Sequence, residues 1–181
     1  MSKKVSLIVL VFLIGLGILG RFFPHLPNVT PVTAIALFSV TYLGLRYSFI
    51  AFLVTMFISD IFIGFYQWQI MLSVYSGFAL ASLVGLYFKK HKTFPIILGG
   101  TVVSSLLFFV ITNWAVWQYS GMYSHNWAGL LESYTMALPF LKNSLVGDLF
   151  YTGVFFGAFE LVKYFVINRS ANMLYYRGGQ K

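Results

Sequence analysis

The chain has 181 residues, of which 59% are hydrophobic, 20% aromatic and only 9% charged, and its formal net charge is +8. About a quarter of the residues in a soluble domain are charged, so this composition excludes an ordinary soluble enzyme and a disordered segment. The absence of cysteine from the sequence excludes disulfides, thiolate metal sites and cysteine nucleophiles.

Six stretches of the chain are predicted to be membrane-spanning helices, since a span needs about 20 mostly apolar residues. They cover residues 5–23, 32–45, 48–66, 69–88, 94–114 and 144–167. The first also resembles a signal peptide, but it lacks an A-x-A cleavage site and is expected to be retained. The second is short, so we expect it to tilt little, to thin the bilayer or to begin as irregular backbone at Pro31. The sequence therefore predicts an all-α fold, a polytopic membrane bundle of six transmembrane helices in a single domain, 1–181.

One long connection, residues 115–143, joins the last two predicted spans. It is amphipathic rather than hydrophilic, because aromatic and aliphatic residues such as Trp117, Tyr123 and Leu131 recur along it. Amphipathic segments of this kind are typical of the membrane interface. We therefore expect the connection to lie along the outer interface or to fold over the bundle as a lid.

The basic residues are distributed unevenly between the two sides of the predicted bundle. If the N-terminus is cytoplasmic, only Arg21 and Lys142 fall on the outer side. The cytoplasmic side then carries Lys3, Lys4, Arg46, Lys89, Lys90, Lys92, Lys163, Arg169, Arg177 and Lys181. This is the asymmetry that the positive-inside rule expects, so both termini are predicted to be cytoplasmic. The net charge therefore needs no nucleic-acid partner to explain it.

Two aspartates lie inside predicted spans, where an ionised carboxylate costs about 3 kcal/mol at the membrane centre. Asp60 and Asp148 fall at a similar depth, about 6–9 Å below the outer edge at 1.5 Å per residue, and Asn113 lies near this edge on the fifth span. Residues four apart share a helix face, and all three helices have a polar or small face at this end. The pattern predicts an outward-facing pocket. The alternative is that the aspartates are packing groups that bond to neighbouring helices or to Arg21.

Further candidates for the site come from the outer ends of the helices and from residues 24–31. Three prolines in this segment fix an extended backbone, which stays at membrane depth only beside protein or water. All four tryptophans fall at the outer end, an arrangement suited to a small-molecule site. His25 and the two aspartates could supply nitrogen and oxygen ligands, but the sequence does not bring them together, so no metal ion or cofactor is predicted. The predicted ligand-binding residues are Arg21, His25, Asn28, Asp60, Trp68, Asn113, Trp114, Trp117, Trp127, Asn143 and Asp148.

Several motifs, spread from Arg21 to about Glu160, together resemble a known family. They are Arg21-Phe-Phe-Pro-His-Leu-Pro-Asn-Val-Thr-Pro-Val-Thr-Ala-Ile-Ala-Leu-Phe38, Ser59-Asp60 with Gly64, Ser104-Ser105-Leu-Leu-Phe-Phe-Val-Ile-Thr-Asn113 with Trp117, Pro139-Phe140 with Asn143, and Gly147-Asp148. They resemble an uncharacterised bacterial family of candidate transport proteins, itself similar to the S components of energy-coupling factor (ECF) vitamin transporters. The resemblance implies an S-component-like fold in the bacterial inner (plasma) membrane. It also implies capture of a vitamin or metal ion from outside, with import driven by ECF-type transmembrane and ATPase subunits.

The predicted function is therefore that of a substrate-binding subunit that captures a vitamin-like molecule or metal ion in an outward-facing pocket for import. The alternative is a structural membrane protein akin to bacterial shape-determining bundles, without a ligand. The sequence contains no H-E-x-x-H, G-x-S-x-G or Walker motif, so an enzyme is not expected. A membrane enzyme would need Asp60 or Asp148 as a general base. The expected partners are the lipid bilayer, a small-molecule substrate and the ECF-type subunits.

Overall fold

The computed structural model describes residues 2–23 and 26–178 of the chain. In this part the secondary structure is entirely helical, which confirms the all-α part of the prediction. The helices are α1 (Lys3–Phe22), α2 (Val32–Tyr42), α3 (Leu45–Ile63), α4 (Trp68–Leu86), α5 (Phe94–Tyr119) and α6 (Trp127–Gly178), with a 3-10 turn at Tyr87–Lys89 after α4.

Five of the six helices, all but α2, are long and apolar enough to cross a membrane. Helix α2 has 11 residues, which gives it a length of about 16 Å at 1.5 Å per residue. The hydrocarbon core of a bilayer is about 30 Å thick, so α2 alone does not cross it. The sequence predicted a sixth span over 32–45, and this prediction is not confirmed. The apolar composition of α2 is explained instead by the burial of this helix within the protein.

Helix α2 forms the centre of the bundle. Every residue from Val32 to Thr41 is buried, so the helix has no exposed face. A helix that is apolar on all sides is stable only when other elements surround it, and α1, α3, α4, α5 and α6 all contact α2. Large buried side chains such as Phe52, Phe88 and Phe156 fill the space around it.

The segment that leads into α2 enters the bundle as irregular backbone. Asn28 adopts a positive φ of 66°, and the Val29 amide donates to the Leu26 carbonyl at 3.0 Å. Val29 lies against α6 at Gly147, where an added Cβ would lie 3.1 Å from the Val29 Cα. The absence of a side chain at Gly147 therefore lets this segment pack directly on α6. This agrees with the expectation that the second helix begins as irregular backbone near Pro31.

The bundle has two different ends. One end, which we call the cavity end, carries the connections between α1 and α2, α3 and α4, and α5 and α6. The opposite end, which we call the basic end, carries exposed Arg46, Lys89, Lys90 and Lys92. Contacts between helices fix this arrangement, because Arg21 of α1 meets Asp60 of α3 at the cavity end, while Tyr42 of α2 donates to Glu160 of α6 at the basic end.

The connection between α5 and α6 is much shorter than predicted. Helix α5 continues to Tyr119 and α6 begins at Trp127, so only residues 120–126 lie between them. The structure therefore differs from the predicted amphipathic segment 115–143. Pro139 falls within the predicted connection, whereas in the structure α6 continues through this proline. Buried Ser133 and Ala137, four residues apart, show that one face of this part of α6 is turned toward the bundle.

Candidate functional site

A cavity of about 670 Å³ opens at the cavity end of the bundle. Its walls come from α4, α5, α6, the last turns of α1 and α3, and residues 27–33. Met122 and Tyr123 of the short α5–α6 connection also line it. Small-molecule sites in proteins commonly have volumes of about 300–1,000 Å³, so this cavity has the size of a ligand site.

One side of the cavity is apolar. Helix α4 contributes Ile70, Val74 and Phe78, which are four residues apart and share one helix face. Helix α5 adds Phe108 and Phe109, and the rings of Phe78 and Phe108 lie 5.0 Å apart between centroids. This wall offers flat aromatic and aliphatic surface to a ligand.

An arginine from the last turn of α1 forms another part of the lining. Arg21 lines the cavity, and its guanidinium Nη2 lies 2.8 Å from Asp60 Oδ1 in an ion pair. Its Nη1 donates to Ser59 Oγ at 2.5 Å and to the Met56 carbonyl at 3.4 Å. The Arg21 side chain is 15% exposed and that of Asp60 is 1% exposed. The arginine therefore reaches the cavity while α3 holds it in one orientation.

Asp60 lies behind Arg21 and does not line the cavity. Its second oxygen, Oδ2, accepts a hydrogen bond from the Tyr75 hydroxyl at 2.9 Å. Both carboxylate oxygens thus contact groups of the protein. For this residue the structure corresponds to the alternative that the sequence left open, a packing carboxylate bonded to Arg21. Its contribution to the site is to position Arg21.

Tyr66, in the connection between α3 and α4, also lines the cavity near this pair. Burial, with the nearby Asp60 charge as a smaller cause, raises the pKa of Tyr66 to about 12. The phenol is therefore protonated at neutral pH. It offers the cavity a neutral hydroxyl that can donate or accept a hydrogen bond.

Asp148 of α6 lines the cavity directly and is 5% exposed. Ser105 Oγ of α5 donates to its Oδ2 at 2.6 Å, and the Thr33 side chain provides a second hydrogen bond. The ion pairs found in the described residues are Arg21–Asp60 and Lys163–Glu160, so no cation of this part of the chain pairs with Asp148. Among the described residues, the donors to this buried carboxyl group are therefore neutral hydroxyl groups.

Comparison with known proteins gives a family for this chain. Residues 1–170 match the family of unknown function DUF6580. The chain belongs to this family. No curated protein and no solved structure matches it. The family match agrees with the expected resemblance to an uncharacterised family, whereas nothing in these comparisons links DUF6580 to the S components.

The predicted polar site residues of this DUF6580 protein divide into three groups. Arg21, Asn28, Asn113 and Asp148 all line the cavity. Asn113 donates to the Phe109 carbonyl at 2.7 Å through Nδ2, which leaves its oxygen free to accept from a ligand. Asp60 and Asn143 are not among the lining residues. His25 lies outside the described residues.

The four tryptophans do not line the cavity. Trp68, Trp114 and Trp127 are exposed, and the Trp117 indole donates to the Ser124 carbonyl at 3.0 Å. Tryptophan rings of this kind are enriched at the membrane–water interface. The sequence placed them correctly at one end of the bundle, but the rotation of each helix directs them away from the cavity.

Several lining residues on α6 are absent from the predicted site, because residues 115–143 were expected to form a connection between helices. Ser133, Ala137, Leu141, Ser144 and Asp148 line the cavity at steps of three or four residues. This spacing is the face of a single helix, and it was available in the sequence. It identifies 127–148 as a cavity wall.

Proposed function

We propose that this DUF6580 protein is a membrane-embedded substrate-binding protein that captures a small organic molecule in the cavity for transport. The observation that carries the proposal is the combination, in about 670 Å³, of a fixed guanidinium, a buried carboxyl group and an aromatic wall. Ligand sites typically pair a mostly apolar lining with a few convergent polar groups. Because Ser59 and Asp60 already hold Arg21, little conformational entropy is lost when a ligand contacts it.

An organic ligand fits these residues better than a metal ion. In the part of the chain that the structure describes, there is no group of three His, Asp or Glu side chains that could hold a metal. The lining is instead dominated by side chains such as Val74, Phe78 and Phe108, which offer dispersion contacts. Of the two predicted ligand classes, this lining supports a vitamin-like molecule over a metal ion.

The proposal assigns binding and transport, not catalysis, to the cavity. The sequence contains no ATP-binding motif, so uptake against a gradient would need ion coupling or a separate ATPase. The resemblance to S components supports the second route, with ECF-type transmembrane and ATPase subunits as partners. A scaffold without a ligand is the second candidate, and the Arg21–Asp60 pair would serve it equally well. Asp148 favours the binding protein, because it lines the cavity and pairs with no cation among the described residues, whereas a scaffold has no use for such a carboxyl group.

We further propose that the basic end is cytoplasmic and that the cavity opens to the outside of the inner membrane. Exposed Arg46, Lys89, Lys90 and Lys92 support this orientation through the positive-inside rule. The N-terminal residues Lys3 and Lys4 lie at the same end. The cavity would then face the source of the substrate.

The natural lack of cysteine provides a direct test of this orientation. A cysteine at Lys90→Cys, on the basic end, is expected to react with a membrane-impermeant maleimide only after the cells are opened. A cysteine at His125→Cys, in the α5–α6 connection, should react in intact cells. Both residues are exposed, so burial does not limit the reaction. The reverse labelling pattern would contradict the proposed orientation.

Filling the cavity should remove the ligand without disturbing Arg21 or Asp148. Ala137 lines the cavity on α6, and Ala137→Phe would place a ring in the space available to a ligand. Native mass spectrometry of the wild-type protein, purified from its own membrane, is expected to detect a bound small molecule. The variant should retain less than about a tenth of this occupancy, which requires a loss of at least roughly 1.4 kcal/mol in binding.

Val146→Phe is the matched control for this experiment. Val146 lies on the same helix but is exposed, and it is not a lining residue. This variant should bind like the wild type. A thermal unfolding curve shows whether Ala137→Phe still folds. If neither the wild type nor Val146→Phe carries any small molecule, the scaffold is favoured and the binding function is rejected.

A further inference from the structure

The ionisable side chains at the cavity are not all paired. The guanidinium of Arg21 is matched by Asp60, with 2.8 Å between Nη2 and Oδ1. Asp148 lies in the cavity wall and has no such partner among the described residues. When Asp148 is ionised, the three charges sum to one negative charge. The cavity therefore favours a ligand that brings a positive charge.

The surroundings of Asp148 leave room for such a partner. Within the described residues, its hydrogen-bond partners are the hydroxyl groups of Ser105 and Thr33. A carboxylate can accept about four hydrogen bonds, so further acceptor positions are available on the side that faces the cavity. A buried carboxylate that lacks a cation is costly, and a positively charged ligand would remove this cost.

We infer that the ligand of this cavity is an organic cation, with a positively charged nitrogen group that pairs with Asp148 and a flat apolar body that packs on α4 and α5. The inference rests on the proposed binding function and names the substrate class for the same site. A protonated amine is the simplest group of this kind. Its N–H groups would form charge-assisted hydrogen bonds with the carboxylate.

The arginine does not make the cavity a site for anions. Two sides of the Arg21 guanidinium are already engaged, by Asp60 at Nη2 and by Ser59 and Met56 at Nη1. An anionic ligand would have to compete with a carboxylate that is 1% exposed and held by Tyr75. It would also approach Asp148, which repels it. Arg21 is therefore better suited to donate a hydrogen bond to a neutral acceptor on the ligand.

The apolar wall fits the second part of the ligand. Phe78 and Phe108 pack against each other with centroids 5.0 Å apart, and Val74 and Phe109 continue the same surface. Aromatic faces attract both flat rings and organic cations. A ring attached to an amine would thus contact this wall while its nitrogen reaches α6.

Three probes of the same shape and different charge test the inference. They are 1-naphthylmethylamine, 1-naphthalenemethanol and 1-naphthylacetate, each added at millimolar concentration to the full-length protein in detergent. The amine is expected to raise the unfolding temperature in a saturable way, the alcohol much less, and the carboxylate not at all. The N-acetyl derivative of the amine, which has no charge, should lose the effect.

Asp148→Asn is the decisive variant, because asparagine keeps the size of the side chain and removes its charge. The apparent Kd of the amine should rise at least tenfold. Glu132→Gln, which removes an exposed carboxylate from the same helix, is the control and should leave the Kd unchanged. If Asp148→Asn does not fold, the inference is still tested on the wild type, by comparing stabilisation by the amine with stabilisation by its uncharged N-acetyl derivative.

The results separate this inference from the proposed function. Stabilisation by naphthylacetate but not by the amine would overturn the cationic class and leave small-molecule binding intact. Equal binding of the amine by wild type and Asp148→Asn would also overturn it. If no probe stabilises the protein, the inference is rejected, and the native mass spectrometry described above decides independently whether the cavity binds a small molecule.

Discussion

Replacing Arg21 with methionine is expected to lower the free energy of unfolding by about 3 kcal/mol, the effect of breaking a buried ion pair by removing one partner. Methionine keeps most of the length of the side chain but leaves Asp60 without a cation. Because Asp60 is 1% exposed, water cannot replace the guanidinium. The Tyr75 hydroxyl, at 2.9 Å, would be the remaining donor from another helix to this carboxyl group. Equilibrium unfolding in detergent would measure the loss.

The double variant Arg21→Met/Asp60→Asn is the control for this prediction. It removes both charges, so it should recover most of the stability that Arg21→Met loses, as expected for coupled residues. Asp60→Asn alone should be less harmful than Arg21→Met, because the 15% exposed guanidinium can turn to the cavity. Additive losses in the double variant would contradict the coupling and would mean that the pair does not hold α1 to α3.

Replacing Gly85 with alanine is expected to destabilise the bundle by about 1–3 kcal/mol, the usual cost of overpacking a core. An added Cβ would overlap the Val40 side chain and would lie 3.3 Å from the Leu37 Cα of α2. Both residues of α2 are 0% exposed and surrounded by other helices. Since neither can move without displacing the centre of the bundle, the cost cannot be relieved locally. Thermal unfolding in detergent measures the effect.

Gly153→Ala provides the matched control on α6. An added Cβ at Gly153 meets no atom of the described chain within 4 Å. Alanine favours a helix interior over glycine by roughly 0.5–1 kcal/mol, so this variant should be neutral or slightly more stable. If Gly85→Ala behaved in the same way, the close approach of α4 and α2 would be disproved.

The small-residue stripe on α4 predicts that a close contact exists but not which helix makes it. Ser73, Gly77, Ala81 and Gly85, four residues apart, indicate a close helix contact, and all four are buried. The structure adds the partners, because Gly77 lies against Phe108 of α5 and Gly85 against α2. Which helix fills such a face depends on bundle geometry, and the stripe alone does not contain this information.

For the two aspartates of the candidate site, the sequence predicted the position along the helix but not the direction of the side chain. Their presence inside apolar helices identified them as residues that need partners, since an uncompensated charge is costly in a membrane. Helix periodicity also predicted the end of the bundle at which they lie. It did not predict that Asp60 turns toward Arg21 and Tyr75 while Asp148 turns toward the cavity. This difference depends on the rotation of α3 and α6 relative to their neighbours.

The sequence by itself determined that this protein is built from long apolar helices, because the length and apolar content of a run are local properties that each segment carries on its own. It also determined that Arg21, Asn113 and Asp148 lie toward one end. Only the tertiary structure decided that α2 is the buried centre, that α6 begins at Trp127, and that Asp60 pairs with Arg21 instead of lining the cavity. The physical reason is that burial and pairing depend on distances between helices distant in the chain, which packing of the whole bundle sets.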